Sequence, residues 1–473
     1  MDRNQTQTAG DYDLGQVAIL GSSGNPVNIT QLIQEINIFQ NIDTPFITGN
    51  IIINDASAVS EFIPFLGQER LVFSLRTPGG IPLNFTDYHA VIYDVKRRFP
   101  GSARAQTLLL NFTTLECYRN IRKKVSKAFS NTISEIAFEL LKSDEFLATK
   151  KSVFIDESSN VRNYISPNLR PYQVLKFLKE EAVTKEQQPY FVFFENSRGI
   201  HYRSIDSLMG GQGSTSVPHI RAYKYQPKAE HREIDENIST IINWEIINSN
   251  NTLTNGAAGM FASTLYTHDI YNKNLNKYSF NYIENIFKRR NSLNHDSKQY
   301  GPMISETKVD DENTITDFPD SKIFVHPECE NANVSQNWLQ ESFSRNLEKQ
   351  YFKIKLTVFG DTAVNCGDVI SVQIPSNRQL LDGEGTAAYD SVLSGRYLIT
   401  SLKHSINHPS QQHSMVIEAM KDSVVKQVPT VEVQYPVEPP KPSDYGLAID
   451  RQNFVPSEKI NKSIGNLRKF FNY

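Results

Sequence analysis

Three histidines, His404, His408 and His413, fall in one strand-turn-strand stretch. Zinc needs convergent imidazoles, and a hairpin between them brings His404 opposite His413. No cysteine or acidic side chain stands beside them, so the same residues also read as plain hairpin positions. Asp310-Asp311-Glu312 offers carboxylates for a divalent cation, or a pair for glycosidic cleavage. Adjacent loop residues point in different directions, however, and so polar a stretch reads equally as solvated loop. His326-Pro327-Glu328-Cys329 spaces its His and Cys as no zinc module does. Gly210-Gly211-Gln212-Gly213-Ser214 lacks both the lysine and the spacing of a phosphate loop. Neither a GxSxG elbow nor an HExxH pair is present. Basic runs at Arg119-Asn120-Ile121-Arg122-Lys123-Lys124 and Lys288-Arg289-Arg290 are candidates for nucleic acid. With a net charge of −3 and no reader motif beside them, they read better as solvated surface or as salt bridges between subunits. The sequence therefore assigns no catalytic, cofactor-binding or metal-ligating residue, no cofactor and no specific nucleic-acid site.

The chain has 473 residues, room for about three domains. Hydrophobic residues make up 39% and charged residues 21%, with 27 Phe and 21 Tyr, which is the balance of a folded, strand-rich chain. Cys117, Cys329 and Cys366 are far apart and odd in number, as expected for folding in a reducing cytoplasm. The first residues, Met1 to Thr6, are polar and lack the apolar core of a signal peptide. No apolar run approaches the length of a membrane span, so no membrane partner is expected.

The elements that would position these residues are read from periodicity. Phe352, Ile354, Leu356 and Val358 alternate with Lys353, Lys355 and Thr357, the pattern of a half-buried antiparallel strand. A turn at Gly360-Asp361-Thr362 and a corner at Asn365-Cys366-Gly367-Asp368 lead to strands over 369–375, 394–404 and 413–420. Residues 351–425 thus form a compact antiparallel barrel or sandwich. Residues 1–13 read as a loose arm. Residues 14–117 read as strands over 34–42, 49–55, 71–76, 87–95 and 106–115, the last two joined through Phe99-Pro100-Gly101-Ser102. Residues 118–208 read as a small α+β domain. Ser130-Asn131-Thr132 caps a helix whose stripe is Ile133, Ile136, Ala137, Leu140 and Leu141. Pro171 opens a second helix, and residues 190–203 make a hairpin around Asn196-Ser197-Arg198-Gly199. Residues 209–350 are mixed: a strand over 241–247, a loop over 252–258, a short strand over 278–282 and a long surface loop over 298–330. They close with a helix over 336–349 carrying Trp338, Leu339, Phe343 and Leu347 on one side. Beyond 425 come Pro429, Pro436, Pro439, Pro440 and Pro442, an extended linker. The basic end carries Ile460, Ile464, Leu467, Phe470 and Phe471 near helical spacing, a candidate docking helix.

Two blocks resemble a known family. Asp368 to Pro375, then Ser394 to His404 (SGRYLITSLKH), with the return strand His413 to Ser423, resemble the second tube-like barrel of central baseplate hub proteins of contractile, T-even-type phage tails. Ile36 to Ser57 (INIFQNIDTPFITGNIIINDAS) resembles the first barrel, although Ile63-Pro64-Phe65 precedes Leu66-Gly67-Gln68-Glu69. The resemblance implies a mainly β fold with α+β insertions, two antiparallel tube-type β-barrels flanking a small α+β domain and a mixed insertion. It implies a non-enzymatic virion protein of the tail baseplate, assembled in the host cytoplasm. Three copies would form a ring of six similar barrels, adapting a sixfold tail tube to a threefold cell-puncturing spike. Its implied partners are two further copies, tail tube proteins, a trimeric spike protein and, through the C-terminal tail, other baseplate components. The tail looks like an addition to the hub pattern. The competing expectations are a hub-borne cell-wall hydrolase using carboxylates near Asp310, and the spike hub of a secretion system.

Overall fold

The computed structural model describes residues 8–425, apart from 22–25, 56–64, 79, 103–104, 211–219, 227–236, 296–299, 311, 328–334 and 377–388. The candidate docking residues Ile460, Ile464, Leu467, Phe470 and Phe471 lie outside the described residues.

The N-terminal part is built from β1 (Ala18–Leu20), β2 (Pro26–Asn28), β3 (Ile33–Asn41), β4 (Thr48–Asp55), β5 (Arg70–Val72), β6 (Ala90–Ser102) and β7 (Ala105–Thr114). Hydrogen bonds order them β3-β4-β7-β6-β5-β1-β2, an open barrel. Ile36 and Ile38 of β3, Ile51 and Ile53 of β4, and Leu108, Leu110 and Phe112 of β7 point to one side and build its core. The strand expected over 71–76 is two strands. Arg70–Val72 joins the large sheet, and Ser74–Arg76 joins a small one with Asp13–Leu14 and Leu83–Asn84. The break falls at Phe73, which is fully buried and whose carbonyl accepts from the Phe85 amide. The turn expected at residues 99–102 is strand instead. β6 runs on to Ser102, and bulges against β7 absorb the irregular register around Pro100.

The α+β part contains α1 (Leu115–Arg122), β8 (Ala128–Thr132), α2 (Ile133–Lys142), β9 (Val153–Ile155), β10 (Val161–Ile165), α3 (Pro171–Glu181), β11 (Phe191–Asn196), β12 (Gly199–Ser204) and the single turn α4 (Ile205–Leu208). Thr132 and Glu135 form a reciprocal capping box at the start of α2. Pro171 opens α3. The stripe Ile133, Ile136, Ala137, Leu140 and Leu141 packs against Val174, Leu175 and Leu178 and against the β11–β12 hairpin.

The remaining elements are β13 (Arg221–Tyr225), β14 (Thr240–Ser249), α5 (Thr252–Ala258), β15 (Ala262–Asp269), β16 (Asn274–Asn281), β17 (Ile323–Pro327), α6 (Leu339–Tyr351), β18 (Phe352–Phe359), β19 (Val369–Gln373), β20 (Gly395–Asn407) and β21 (Gln412–Met420). Residues 252–258, expected as loop, are helix. Asn251 caps the Thr254 amide, and Gly259 ends the turn at φ +90°. Within the stretch expected to be one surface loop, β17 pairs in parallel with β15. Strands β19-β13-β14-β18-β21-β20 close on themselves through β20–β19, a six-stranded barrel. The second barrel therefore takes two of its strands from 221–249, ahead of the stretch 351–425. Fold class is as expected, mainly β with α+β insertions.

Candidate functional site: one sheet face and the joints behind it

The two barrels share a wall. β20 pairs with β3 in antiparallel register, from Ser401 opposite Asn41 to Asn407 opposite Glu35. Eight strands, β14-β18-β21-β20-β3-β4-β7-β6, therefore form one continuous antiparallel run across both barrels. Alternation sends most apolar residues of these strands to the cores and leaves the other face mainly polar, with Phe39, Ile52, Leu109 and Val416 set among the polar side chains. One transverse row on that face is Asp94, Asn111, Asn50, Asn37, Ser405 and Ser414, matched residue to residue across six strands. The Asn111 amide donates to Asp94 at 3.2 Å, the Asn37 amide to Asn50 at 3.0 Å, and the Ser405 hydroxyl to Asn37 at 2.9 Å. A second row is Asn41, Ser401, Glu418, Lys355 and Glu245. In it the Asn41 amide donates to Ser401 at 2.9 Å, and Lys355 pairs with Glu245 at 3.3 Å. Described charged side chains of both signs stand on the face, Glu35, Asp94, Glu245 and Glu418 among Lys96, Lys353, Lys355 and Lys403, and the side chains of Arg97 and Arg98 on β6 lie outside the described residues.

The corner at Asn365-Cys366-Gly367-Asp368 joins three parts. Gln40 of β3 accepts from the Cys366 amide at 3.0 Å. From the β11–β12 turn, the Asn196 amide donates to the Cys366 carbonyl at 3.1 Å, and the Ser197 hydroxyl donates to Asn365 at 2.7 Å. Arg198 grips Asp368 with both terminal nitrogens, at 2.6 and 2.8 Å, a bidentate pair. Gly367 holds φ +88° there, and a Cβ would lie 2.6 Å from the Phe194 ring. Burial pushes the Cys366 thiol up, and that thiol donates to the Thr400 carbonyl at 3.3 Å. It is a packed structural group rather than a nucleophile.

Two buried charge networks fix the other joints. Lys151 is clasped by Glu116 at 2.8 Å and by Glu195, whose other oxygen accepts from Thr114 at 2.8 Å. Burial works against the ammonium, but the two carboxylates outweigh it and hold its pKa above the ordinary value. Arg345 of α6 reaches Asp206 of α4 and Glu348, both at 2.6 Å. Glu348 also accepts from the Tyr282 hydroxyl. Burial raises the pKa of Glu348 and of nearby Asp422, opposed by Arg345 in both cases. Here the structure departs from the helical-stripe expectation. Phe343 and Leu347 are only partly covered, whereas Gln340, Ser344, Arg345, Glu348 and Lys349, with Tyr351 at the end, are the buried side chains of α6. An arginine flanked by polar residues gives no local sign that its carboxylate partner lies 139 residues upstream.

The residues singled out for chemistry disperse. His404 Nδ1 and His413 Nε2 do meet, 3.1 Å apart and fully buried. His408 instead bonds the Tyr12 hydroxyl at 2.9 Å. Burial drives His404 down to about 4 and His413 well below its ordinary value. Among the described residues no three His, Cys, Asp or Glu side chains are placed to share a metal ion. Asp310 accepts from the Asn313 amide at 2.8 Å, and these backbone bonds hold its carboxyl below the usual range, so it serves a turn. Asp311 and Cys329 lie outside the described residues. His326 packs edge-on against Trp338. Arg119 donates to the Leu147 and Ala148 carbonyls, Lys288 pairs with Glu284 and Arg290 with Glu341, so these members of the two basic runs bond within the chain. Among the described residues no helix is long and apolar enough to cross a membrane.

No protein-family model matches the chain, and no curated protein matches it by sequence. Solved structures do resemble it. A tail protein from Neisseria meningitidis MC58 aligns at TM-score 0.49 and 12% identity, over 87% of this chain and 97% of that one. A 43 kDa tail protein of prophage MuSo2 from Shewanella oneidensis aligns at 0.47 and 9%, over 86% and 98%. A type VI secretion component of E. coli, described as similar to the T4 tail proteins gp27 and gp5, aligns at 0.40 and 11%, over 84% and 75%.

Proposed function

We propose that this chain is a structural protein of a contractile tail baseplate, the central hub that matches a sixfold tube to a threefold spike. One observation carries the reading. Two barrels in one chain are fused through β3 and β20 into a single eight-stranded antiparallel wall with a mainly polar face that carries charges of both signs. At about 4.8 Å per strand, eight strands give roughly 38 Å of wall per copy. Three copies closing around an axis make a ring about 37 Å across at the backbone, before strand tilt widens it. Side chains would leave about 25 Å, enough for duplex DNA to pass, whereas two copies would leave a bore about half as wide. A wall rich in amides and hydroxyls, with carboxylates set among its lysines, supports passage without tight capture of phosphate.

On this reading six barrels from three copies meet the tube above, and the threefold arrangement meets the spike below. The C-terminal residues Ile460, Ile464, Leu467, Phe470 and Phe471 are proposed to dock on another baseplate component. The protein is read as non-enzymatic; release of soluble fragments from purified peptidoglycan by the chain would contradict that. The direct test is imaging of the purified chain by electron microscopy. Class averages showing a threefold ring with an open centre support the proposal, and a closed twofold particle without a channel overturns it.

A further inference from the structure

The hairpin of β20 and β21 carries a buried patch that the hub reading does not use. On its core side His404 lies directly opposite Met415, and Ile406 directly opposite His413. The four side chains make one two-by-two block and are fully buried. The block sits where the two barrel cores meet. Leu402 and Met415 belong to the core of the second barrel, and Ile406 to that of the first.

Two imidazoles are a costly way to fill that space. His404 Nδ1 and His413 Nε2 face each other at 3.1 Å, with the rings tilted by 30°. Between neutral rings a single N–H fills the gap, and His404 Nε2 and His413 Nδ1 have no hydrogen-bond partner. A stranded buried group of this kind costs about 1–3 kcal/mol, which apolar side chains in the same space would avoid. The backbone is nevertheless shaped around the rings: a Cβ on Gly360 would run into the His413 imidazole.

Met415 supplies a third donor. Directly opposed residues on neighbouring strands stand about 5 Å apart at Cβ, so its thioether shares the block with His404. Its Sδ accepts from the Asp361 amide at 3.4 Å, a weak bond. Two imidazole nitrogens and one thioether, with no carboxylate among them, are the donors of a soft univalent ion. Thioether sulfur selects Cu(I) and imidazole accepts it, whereas zinc, which takes four ligands, finds only three here. The spacing agrees. A trigonal ion about 2 Å from each nitrogen sets the two nitrogens about 3.5 Å apart, so the rings need part by only about 0.4 Å.

Access lies at the surface end of the hairpin. The His413 amide donates to the Gly10 carbonyl at 2.8 Å, and Tyr12 bonds His408 at 2.9 Å, so residues 10–12 lie against the hairpin beside His413. A cleft of about 760 Å³, lined by Tyr12, Arg76, His408 and Gln411, opens beside them.

We propose that His404 Nδ1, His413 Nε2 and Met415 Sδ form a binding site for Cu(I), in which the ion takes the place of the proton held between the two rings. The displaced proton moves to the far nitrogen of its own ring, so both imidazoles stay neutral and no proton is released. The bound ion ties β20 to β21 at the join of the two barrels. The site does not depend on the hub reading, and either can fail alone.

The probe is Cu(I) itself, kept reduced by ascorbate in the absence of oxygen. It is added to the full-length chain in a Cys117→Ser/Cys329→Ser background, because free thiols bind the same ion. After desalting, copper is counted by elemental mass spectrometry. One copper per chain is expected, with an X-ray absorption signature of nitrogen and sulfur together, and zinc treated alike should wash away. Met415→Leu keeps the volume, and its affinity, read by competition with a coloured Cu(I) chelator, should weaken about tenfold or more. His404→Phe should abolish retention. Chains that retain no copper overturn the proposal. So does copper held undiminished by the variants, or copper in an all-sulfur shell, which places it on Cys366 instead. Should His404→Phe lose the parent circular dichroism, Met415→Leu alone decides.

Discussion

Arg345→Met removes the one cation that Asp206 and Glu348 share at the meeting of α4, α6 and the insertion that carries Tyr282. The guanidinium is 2% exposed and lies 2.6 Å from each carboxylate. Methionine fills similar space, so the packing loss is small and the electrostatic loss dominates. Deleting one member of a buried ion pair costs about 3–5 kcal/mol, since the stranded carboxylate has no water to turn to. With a urea dependence near 3 kcal/mol per molar, the unfolding midpoint should fall by about 1–2 M. Fluorescence of Trp338, immediately before α6, reports the transition. The deficit should depend on pH. Burial already places the folded-state pKa of Glu348 and Asp422 above the ordinary value. A carboxyl raised in this way favours the fold at low pH, and that contribution is lost as pH rises through the folded pKa. Without Arg345 the effect grows, so the variant should be most impaired near pH 8 and partly recovered near pH 5. A second change, Arg345→Met/Asp206→Asn, should cost less than the single one. A loss below about 1 kcal/mol, or an equal loss at pH 5 and pH 8, would refute the reasoning.

Three further outcomes follow. His404 and His413 are buried neutral, with His404 at about 4 against an ordinary 6.5. Stability should hold above pH 6.5 and fall below it, by up to about 1.4 kcal/mol per pH unit for each histidine, as the unfolded chain takes protons the fold refuses. Burial holds His201 down to about 3 as well, so His404→Phe should remove about a third of the histidine slope in urea titrations between pH 6.5 and 4.5. Gly367→Ala meets both a positive φ and the Phe194 ring, and should cost about 1–3 kcal/mol, read as a lowered melting temperature. Deleting residues 457–473 should leave the trimer mass intact apart from the missing segment but weaken co-purification with other baseplate components; loss of the trimer would contradict the docking role.

What could be seen in the sequence was local. The alternation of Phe352 to Val358 and the Thr132–Glu135 capping box depend on a few neighbouring residues, and both elements form as read. Closure of the second barrel depends on distant partners. Glu245 of β14 meets Lys355 of β18 across 110 residues, and no periodicity reveals that 221–249 belongs with 351–425. β17 is five residues in a polar stretch, with a parallel partner and no turn signal to announce it. The helix at 252–258 was signalled by Asn251 and Gly259, but its Thr, Asn and Gly interior reads as loop because such residues are weak helix formers. The corner at 365–368 was visible as a turn. Its role as the joint for Gln40 and Arg198 was not, since hydrogen-bonding partners so far apart in sequence leave no local trace.

The central claim is that three copies close one ring, and native mass spectrometry of the purified full-length chain, taken at concentrations high enough to populate weak assemblies, tests it most directly. A principal species at three times the 53.8 kDa chain is the predicted result. A stable dimer or tetramer would contradict it, because neither builds a threefold ring from eight-stranded walls.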